Sequence, residues 1–425
     1  MAEIKPFAPL RYTQRGGSIE TLVSPPYDIV SAEQRDALLK LNPYNIIGVE
    51  LPQGEGEAKY RAAAKLLESF RSDGVLKEDD ESSIFIYSEE FPSEGGKKTV
   101  YGIIGRVTLH EFSERIILPH EETLTKAKQD RFDLMCATCA NISPIYALYN
   151  DDSNAIDLIL KRYMTAAPLA CFTDKDGITH RLHRIPAGKD TDAIAATLAP
   201  LRLFIADGHH RYETALRYKK HLAAAGELES TAADSQMMLL VEMKNPGLVV
   251  FPTHRLVNPR AAIDPQEIVN RASEYFDVEA LEGDPAEALS HFGTRPGCFV
   301  LCAPGKRFLF KLRDPSVMRR LLPDMSEAYA TLDVTILHSL VLESLLGIDK
   351  EDMAAGRSLT YTRDTAEAAA APEEGKCAFS FILRATLVSQ IRDVSLAGEK
   401  MPQKSTYFHP KPVTGLVIND LRSLK

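Results

Sequence analysis

Three stretches of this 425-residue chain crowd charged and hydroxyl side chains at single turns. The densest is LFIADGHHRYETAL, residues 203–216. Asp207, Gly208, His209, His210 and Arg211 fall where an apolar run gives way to helical spacing. Gly208 permits a tight turn and close backbone approach. The N–H groups and dipole of a helix start favour an anion. Arg211 adds a planar donor fork suited to phosphate. Asp207 could hold a Mg²⁺ that bridges phosphates, or act as a base. Two plainer roles compete: Asp207 as the helix N-cap, and Glu213 with Arg217 as an i,i+4 pair. Neither needs two histidines and an arginine in a row.

PHEETLTKAKQDRF, residues 119–132, groups His120, Glu121 and Glu122 at an expected helix start. On one helix Glu121, Lys128 and Arg131 would share a broad stripe. Acids early and bases late also suit the dipole of an ordinary solvated helix. MPQKSTYFHPKP, residues 401–412, offers Lys404, Ser405, Thr406, His409 and Lys411 between prolines that exclude a regular helix. Such a loop could cradle an anion or be an irregular tail; Tyr407, Phe408, Leu416 and Val417 argue against a disordered one. SPPYDIV holds Tyr27 and Asp28 in a rigid turn, and FPTHRLV puts His254 and Arg255 in a strand.

Other site patterns are missing. There is no phosphate loop of the G-x-x-x-x-G-K-[ST] type and no G-x-G-x-x-G after a strand. His120-Glu121 is not followed by a histidine at metalloprotease spacing, and no G-x-S-x-G occurs. Cys136 and Cys139 form a lone C-x-x-C without the second pair of a zinc site, and read as a helical core pair.

The composition is that of a globular chain, 44% hydrophobic and 26% charged, with net charge -9 and pI near 5.7. That balance opposes a general polyanion binder. No apolar run is long enough for a membrane span, the first residues lack an apolar signal core, and six cysteines are too few for a disulfide scaffold. The expected location is cytoplasmic.

The elements that must hold these residues alternate irregularly. Helices are expected at 32–41 with Ser31 as cap, at 57–73 ended by Gly74, from Pro119 through about 138, and over 151–170, 191–198, 209–222, 264–276 and 333–349, the last capped by Thr331 or Asp333. Strands are expected at 82–91, 97–112, 144–150, 178–185, 203–205, 235–243, 248–257 and 377–385, with a hairpin over 297–312. The order is not a clean β-α-β-α alternation. The expected fold class is therefore α/β to α+β, with mixed sheets and helices. Three regions are expected: 1–150, an α/β part contributing to the site; 151–260, a core with the DGHHR turn; and 261–425, an α+β part with KSTYFHPK.

SPPYDIVS, HEETLTKAKQDRF, ANISPIYALY, FIADGHHRYETAL, FPTHR and MPQKSTYFHPKPVTGLV together resemble the domain-of-unknown-function family numbered 1015, over nearly the whole chain. More distantly, strand–DGHHR–helix is similar to the phosphate-contacting turn of the ParB/sulfiredoxin superfamily, which carries G-E-R-R in ParB proteins and G-C-H-R in sulfiredoxins. The resemblance implies a ParB/sulfiredoxin-like core with ATP or ADP on Gly208, His209, His210 and Arg211. Free serine kinases of that superfamily phosphorylate the serine hydroxyl. His209 stands where sulfiredoxins have cysteine, which argues against sulfinic-acid reduction, and no helix-turn-helix follows for DNA work.

The expected function is phosphoryl transfer from a nucleotide or phosphate donor to a small hydroxyl metabolite, serine being one, with Mg²⁺ and ATP or ADP. Asp207, Asp28 and Glu121 are the alternatives for the base. Gly208, His209, His210, Arg211, Arg131, Lys404, Ser405, Thr406 and Lys411 would bind phosphate, and His120, Tyr27 and Arg255 the acceptor. The competing expectation is a regulator that binds such a ligand without turnover. Nucleic acid and membrane are not expected partners. A metal hydrolase on His120, Glu121, His209 and His210 is disfavoured, because adjacent helical histidines point apart.

Overall fold

A computed structural model describes residues 1–93, 95–123, 125–354 and 356–424. Contacts divide the chain into two units. Met1–Pro119, Thr123–Leu248 and Pro410–Lys425 make the first; His120–Glu122 and Val249–His409 make the second. Residue 150, an expected boundary, lies inside the first unit. Strands Ile145–Tyr149 and Ser235–Glu242 pair in parallel across that boundary, so one sheet takes chain from both sides.

The first unit is built on a nine-stranded mixed sheet. From one edge its strands are Ile117–Leu118, Leu203–Asp207, Ile145–Tyr149, Ser235–Glu242, Gly96–Thr108, Ser83–Ser93, Thr179–Pro186 and Ala170–Thr173, with Ile4–Lys5 also on Gly96–Thr108. The first two strands pair in parallel, as do the third and fourth; the other pairs are antiparallel. Alternation along the strands sends Ile84, Ile86, Ile103, Ile205, Met238 and Leu240 to one face. Helices Ala155–Met164, Lys189–Leu198 and His209–Ala225 cover that face through Ile156, Leu160, Ile194, Tyr212 and Ala215. Each large side chain so buried contributes about 1.5–3 kcal/mol.

The second unit holds a six-stranded antiparallel sheet in the order Phe276–Ala280, Lys306–Leu312, Cys298–Ala303, Phe379–Ile382, His254–Val257, Leu359–Thr362. Phe276, Phe299, Phe310 and Phe381 pack together in its core, Phe299 stacked on Phe310 and the other pairs edge to face. The mixed-sheet fold class expected from the sequence is what the chain adopts.

Several elements differ from expectation for identifiable reasons. The helix expected from Pro119 runs over Thr125–Thr138. His120 is held extended, because its carbonyl accepts from Met401 N–H at 2.7 Å and Glu121 bridges Met401 in parallel register. Glu121 therefore shares no helical stripe with Lys128 and Arg131. Cys139 lies past that helix, in left-handed backbone at φ 50°. The strand expected over 248–257 is split into Val249–Phe251 and His254–Val257 around Pro252, which has no N–H to donate. The helix expected over 264–276 stops at Ala272, and Phe276 opens a strand. Residues 333–345 are helical, but Ile336–Leu345 is a π-helix. Neither proposed cap acts there: Asp333 accepts from Gly297 N–H at 2.8 Å and pairs with Arg384, and Thr331 Oγ1 donates to the Glu327 carbonyl. Ser31 does cap Ala32–Leu41, within a capping box closed by Gln34. The turn between Ser83–Ser93 and Gly96–Thr108 includes residue 94, outside the described residues.

Candidate functional site

The strand Leu203–Asp207 ends directly at Gly208, which is the N-cap of helix His209–Ala225 at φ 96°. Only glycine takes that conformation without strain. A Cβ added there would also lie 3.0 Å from the Arg211 guanidinium. Asp207 is thus not the cap, and the helix begins with no capping side chain. Tyr212, Ala215, Leu216 and Leu222 face the core, as their spacing requires.

With its cap role gone, the Asp207 carboxylate is tied to two cations. Arg211 Nη2 donates to Oδ2 at 2.7 Å, one helical turn on. Lys411 Nζ lies 2.7 Å from Oδ1 and donates to Asp28 Oδ2 at 2.6 Å. Burial would raise the Asp207 carboxyl, but Lys411 and Arg211 outweigh it and hold the group at about 2. Burial would lower the Lys411 ammonium, yet the two aspartates push it above its ordinary value. Lys411 is thereby a firmly charged cation fixed at a helix N-terminus.

Arg211 turns inward. Its Nη1 donates to Ser143 Oγ at 3.0 Å and to the Pro144 carbonyl at 2.5 Å. Ser143 Oγ in turn donates to Glu50 Oε1 at 3.1 Å. Arg131 Nη1 donates to the Glu50 carbonyl at 2.7 Å, its Nε and Nη2 grip Asp130, and its guanidinium lies 4.1 Å from the Tyr27 ring centre. Asp130 also takes Lys59 and Tyr60. Burial raises Glu50 despite Arg131 and Arg211, and raises the Tyr27 phenol. A cavity of about 40 Å³ lined by Glu50, Arg131, Ser143 and Arg211 has room for a water or two, not a nucleotide. The accessible side of the cluster is Asp28, whose side chain is 40% exposed, with half-buried His210.

Tyr27, Asp28, Arg131, Asp207, Gly208, His209, His210, Arg211 and Lys411 thus all belong to the first unit. Glu50, Ser143 and Asp130 complete the network, and sequence reasoning missed them. The signal for Glu50 was present: a single acid inside the apolar run IIGVEL. The expected Glu213–Arg217 pair does not form; Lys128 binds Glu213 at 2.7 Å, and Arg217 stacks on Phe132.

The remaining site residues sit in the second unit. His120 Nε2 lies 2.9 Å from Thr406 Oγ1, and Glu121 Oε1 accepts from Lys404 N–H at 2.9 Å. Ser405 Oγ donates to the Pro402 carbonyl, and Arg255 donates to the Lys404 carbonyl at 3.2 Å. Among the described residues no group of three or more His, Cys, Asp and Glu side chains is placed to hold a metal. No helix among them is long and apolar enough to cross a membrane.

The model of the family described as "Protein of unknown function (DUF1015)" matches residues 4–335. The chain belongs to that family. Its DGHHR turn and both long hairpin strands fall within the matched span. No curated protein matches the chain. Among solved structures, a free serine kinase in complex with AMP is similar at TM-score 0.33 and 15% identity, over 69% of this chain and 83% of that one. SbnI with C-terminal truncation from Staphylococcus aureus is similar at TM-score 0.36 and 11% identity, over 75% and 87%. A conserved hypothetical protein from Pyrococcus furiosus is similar at TM-score 0.33 and 14% identity, over 69% and 87%. Likeness at this level transfers no residue role.

Proposed function

We propose that this DUF1015 protein binds the phosphates of a nucleotide at the DGHHR turn and transfers a phosphoryl group to a small hydroxyl compound. The observation that carries this is Lys411, charged and fixed between Asp207 and Asp28 at the start of helix His209–Ala225. Phosphoryl transfer asks mainly for positioning and charge neutralisation. The helix start and Lys411 supply positive potential to the phosphates. His210, half-buried on the first turn, adds a donor.

The three expected bases separate by environment. Asp207 has both oxygens on cations, which makes it a poor proton acceptor. Glu121 belongs to the second unit. Asp28 is the accessible carboxylate of the cluster, so we assign it the acceptor's hydroxyl proton. The hydroxyl oxygen then bonds to phosphorus, the bond from phosphorus to the donor's bridging oxygen breaks, and the donor leaves one phosphate shorter. Arg211 positions Asp207 and the Ser143 loop, and the outward fork expected of it passes to Lys411 and the helix N–H groups. Arg131 holds Tyr27 over the Asp28 turn.

Mg²⁺ on Asp207 does not fit these residues. Arg211 and Lys411 occupy both oxygens, so a divalent ion there would meet two cations. No step runs through it. The saturated Asp207 also favours, as a second possibility, a ligand-binding protein without turnover.

Binding is tested by titration calorimetry of the full chain with ADP and with pyrophosphate. Saturable heat is expected, weakened about tenfold or more by His210→Ala and falling with salt. No heat with either ligand at millimolar concentration overturns the assignment.

A further inference from the structure

His254 and Arg255, singled out by FPTHR, are unused by the site above. His254 is a core group: its Nδ1 accepts from Leu383 N–H at 3.2 Å and its Nε2 meets Thr365 Oγ1 at 3.0 Å. Burial lowers it to about 4, which keeps it neutral. Arg255 is different. It is 1% exposed, and among the described residues its guanidinium meets neutral acceptors. These are the carbonyls of Thr253, Gln403 and Lys404 and His338 Nε2 at 3.2 Å, with the Tyr361 ring centre 5.4 Å away. Among the described residues no carboxylate pairs with it. A buried charge without a counter-charge is costly, and an anion placed nearby relieves the cost.

Three of the groups Arg255 touches line a cavity of about 230 Å³. His338, Tyr361 and Gln403 line it, together with Lys400. His338 Nε2 accepts from Arg255 and so ties the buried guanidinium to the lining. The same cavity has an acidic lining. Glu122, Glu343 and Tyr329 line it, and Glu343 and Glu122 both act on the Tyr329 phenol.

The π-helix explains how one element supplies both His338 and Glu343 to the lining. In an α-helix the residue five on is rotated by about 140° from the first. In a π-helix, bonded i to i+5, the two nearly stack. Ile336–Leu345 is such a helix, and Ser344 Oγ donates to the Ser339 carbonyl across that spacing at 2.8 Å. His338 and Glu343, five apart, therefore both reach the cavity. π-helical turns occur often at functional sites.

The cavity thus brings two carboxylates, a lysine and the Arg255-bonded His338 into a space smaller than a drug-sized pocket. We propose that it binds a small zwitterion, an α-amino acid, with its ammonium at Glu122 and Glu343 and its carboxylate at Lys400 and the Arg255-backed His338. Neither ADP nor pyrophosphate has that charge pattern, and the proposal does not rest on the phosphate site.

The test is titration calorimetry of the full chain with each proteinogenic L-amino acid. The best binder is then compared with its decarboxylated amine and its deaminated acid. The expected result is one or a few amino acids that bind, with both truncated compounds about tenfold weaker or worse. Glu343→Gln and, separately, Glu122→Gln should each weaken the amino acid about tenfold and leave the thermal melt and the response to ADP unchanged. The proposal is overturned if no amino acid binds at millimolar concentration. It is equally overturned if the amine alone binds as tightly, or if both glutamine variants retain full affinity.

Discussion

Replacing Lys411 by methionine should cost the first unit about 3–5 kcal/mol, the loss typical when one partner of a buried ion pair is removed. The Lys411 side chain is 8% exposed, and its ammonium sits 2.7 Å from Asp207 and 2.6 Å from Asp28. At an effective dielectric of about 20, the Asp207 contact is worth on the order of 6 kcal/mol. Asp28 is 40% exposed, so its share falls toward the ~1 kcal/mol of a surface pair. Against this stands the desolvation of the ammonium, several kcal/mol, which methionine no longer incurs. Unfolding in urea, followed by circular dichroism because the chain has no tryptophan, measures the difference. Asp207→Asn and the double variant complete a thermodynamic cycle, with an expected coupling on the order of 1–3 kcal/mol. A loss below about 1 kcal/mol without coupling would refute the buried, paired Lys411 on which the site is built.

Gly208→Ala should lower stability by about 1–2 kcal/mol, because alanine is strained at φ 96° and its Cβ crowds Arg211; an unchanged melting temperature contradicts this. Asp207 has a folded pKa depressed from 3.8 to about 2, so its stabilisation is full above pH 4 and lost as pH falls through 2. Asp207→Asn should therefore flatten the acid limb of the stability curve, and an unaltered limb counts against the pairing. Glu89 is 1% exposed, and burial pushes it up to about 8. A raised carboxyl favours the folded state at low pH, and that advantage fades as pH rises through 8. Glu89→Gln should be the more stable protein at pH 8, by on the order of 2–4 kcal/mol, and parallel melting curves from pH 5 to pH 9 would show otherwise.

What was legible in the sequence was local. The strand, the positive-φ glycine and the helix of 203–225 follow from an apolar run, a turn residue and helical spacing, all within two dozen residues. Ser31 announced its cap for the same reason. What escaped depends on distant chain. Lys411 reaches Asp28 across 383 positions, so no spacing rule links them, though both residue types were singled out. His120 and Glu121 look like a helix start, with acids ahead of bases, until Met401 captures their backbone as a strand partner. The π-helix is equally hidden, since the apolar run ILHSLVLESLL suits either helical pitch.

Phosphoryl transfer at the DGHHR turn would leave a product with its own phosphorus signal. Phosphorus NMR of the full chain with ATP or ADP and a panel of hydroxyl metabolites that includes serine tests it most directly. The expected result is a new phosphomonoester resonance with one acceptor, growing as the donor's terminal phosphate is consumed and abolished by Asp28→Asn. A donor that binds yet stays intact with every acceptor, or a product formed at full rate by Asp28→Asn, would contradict it.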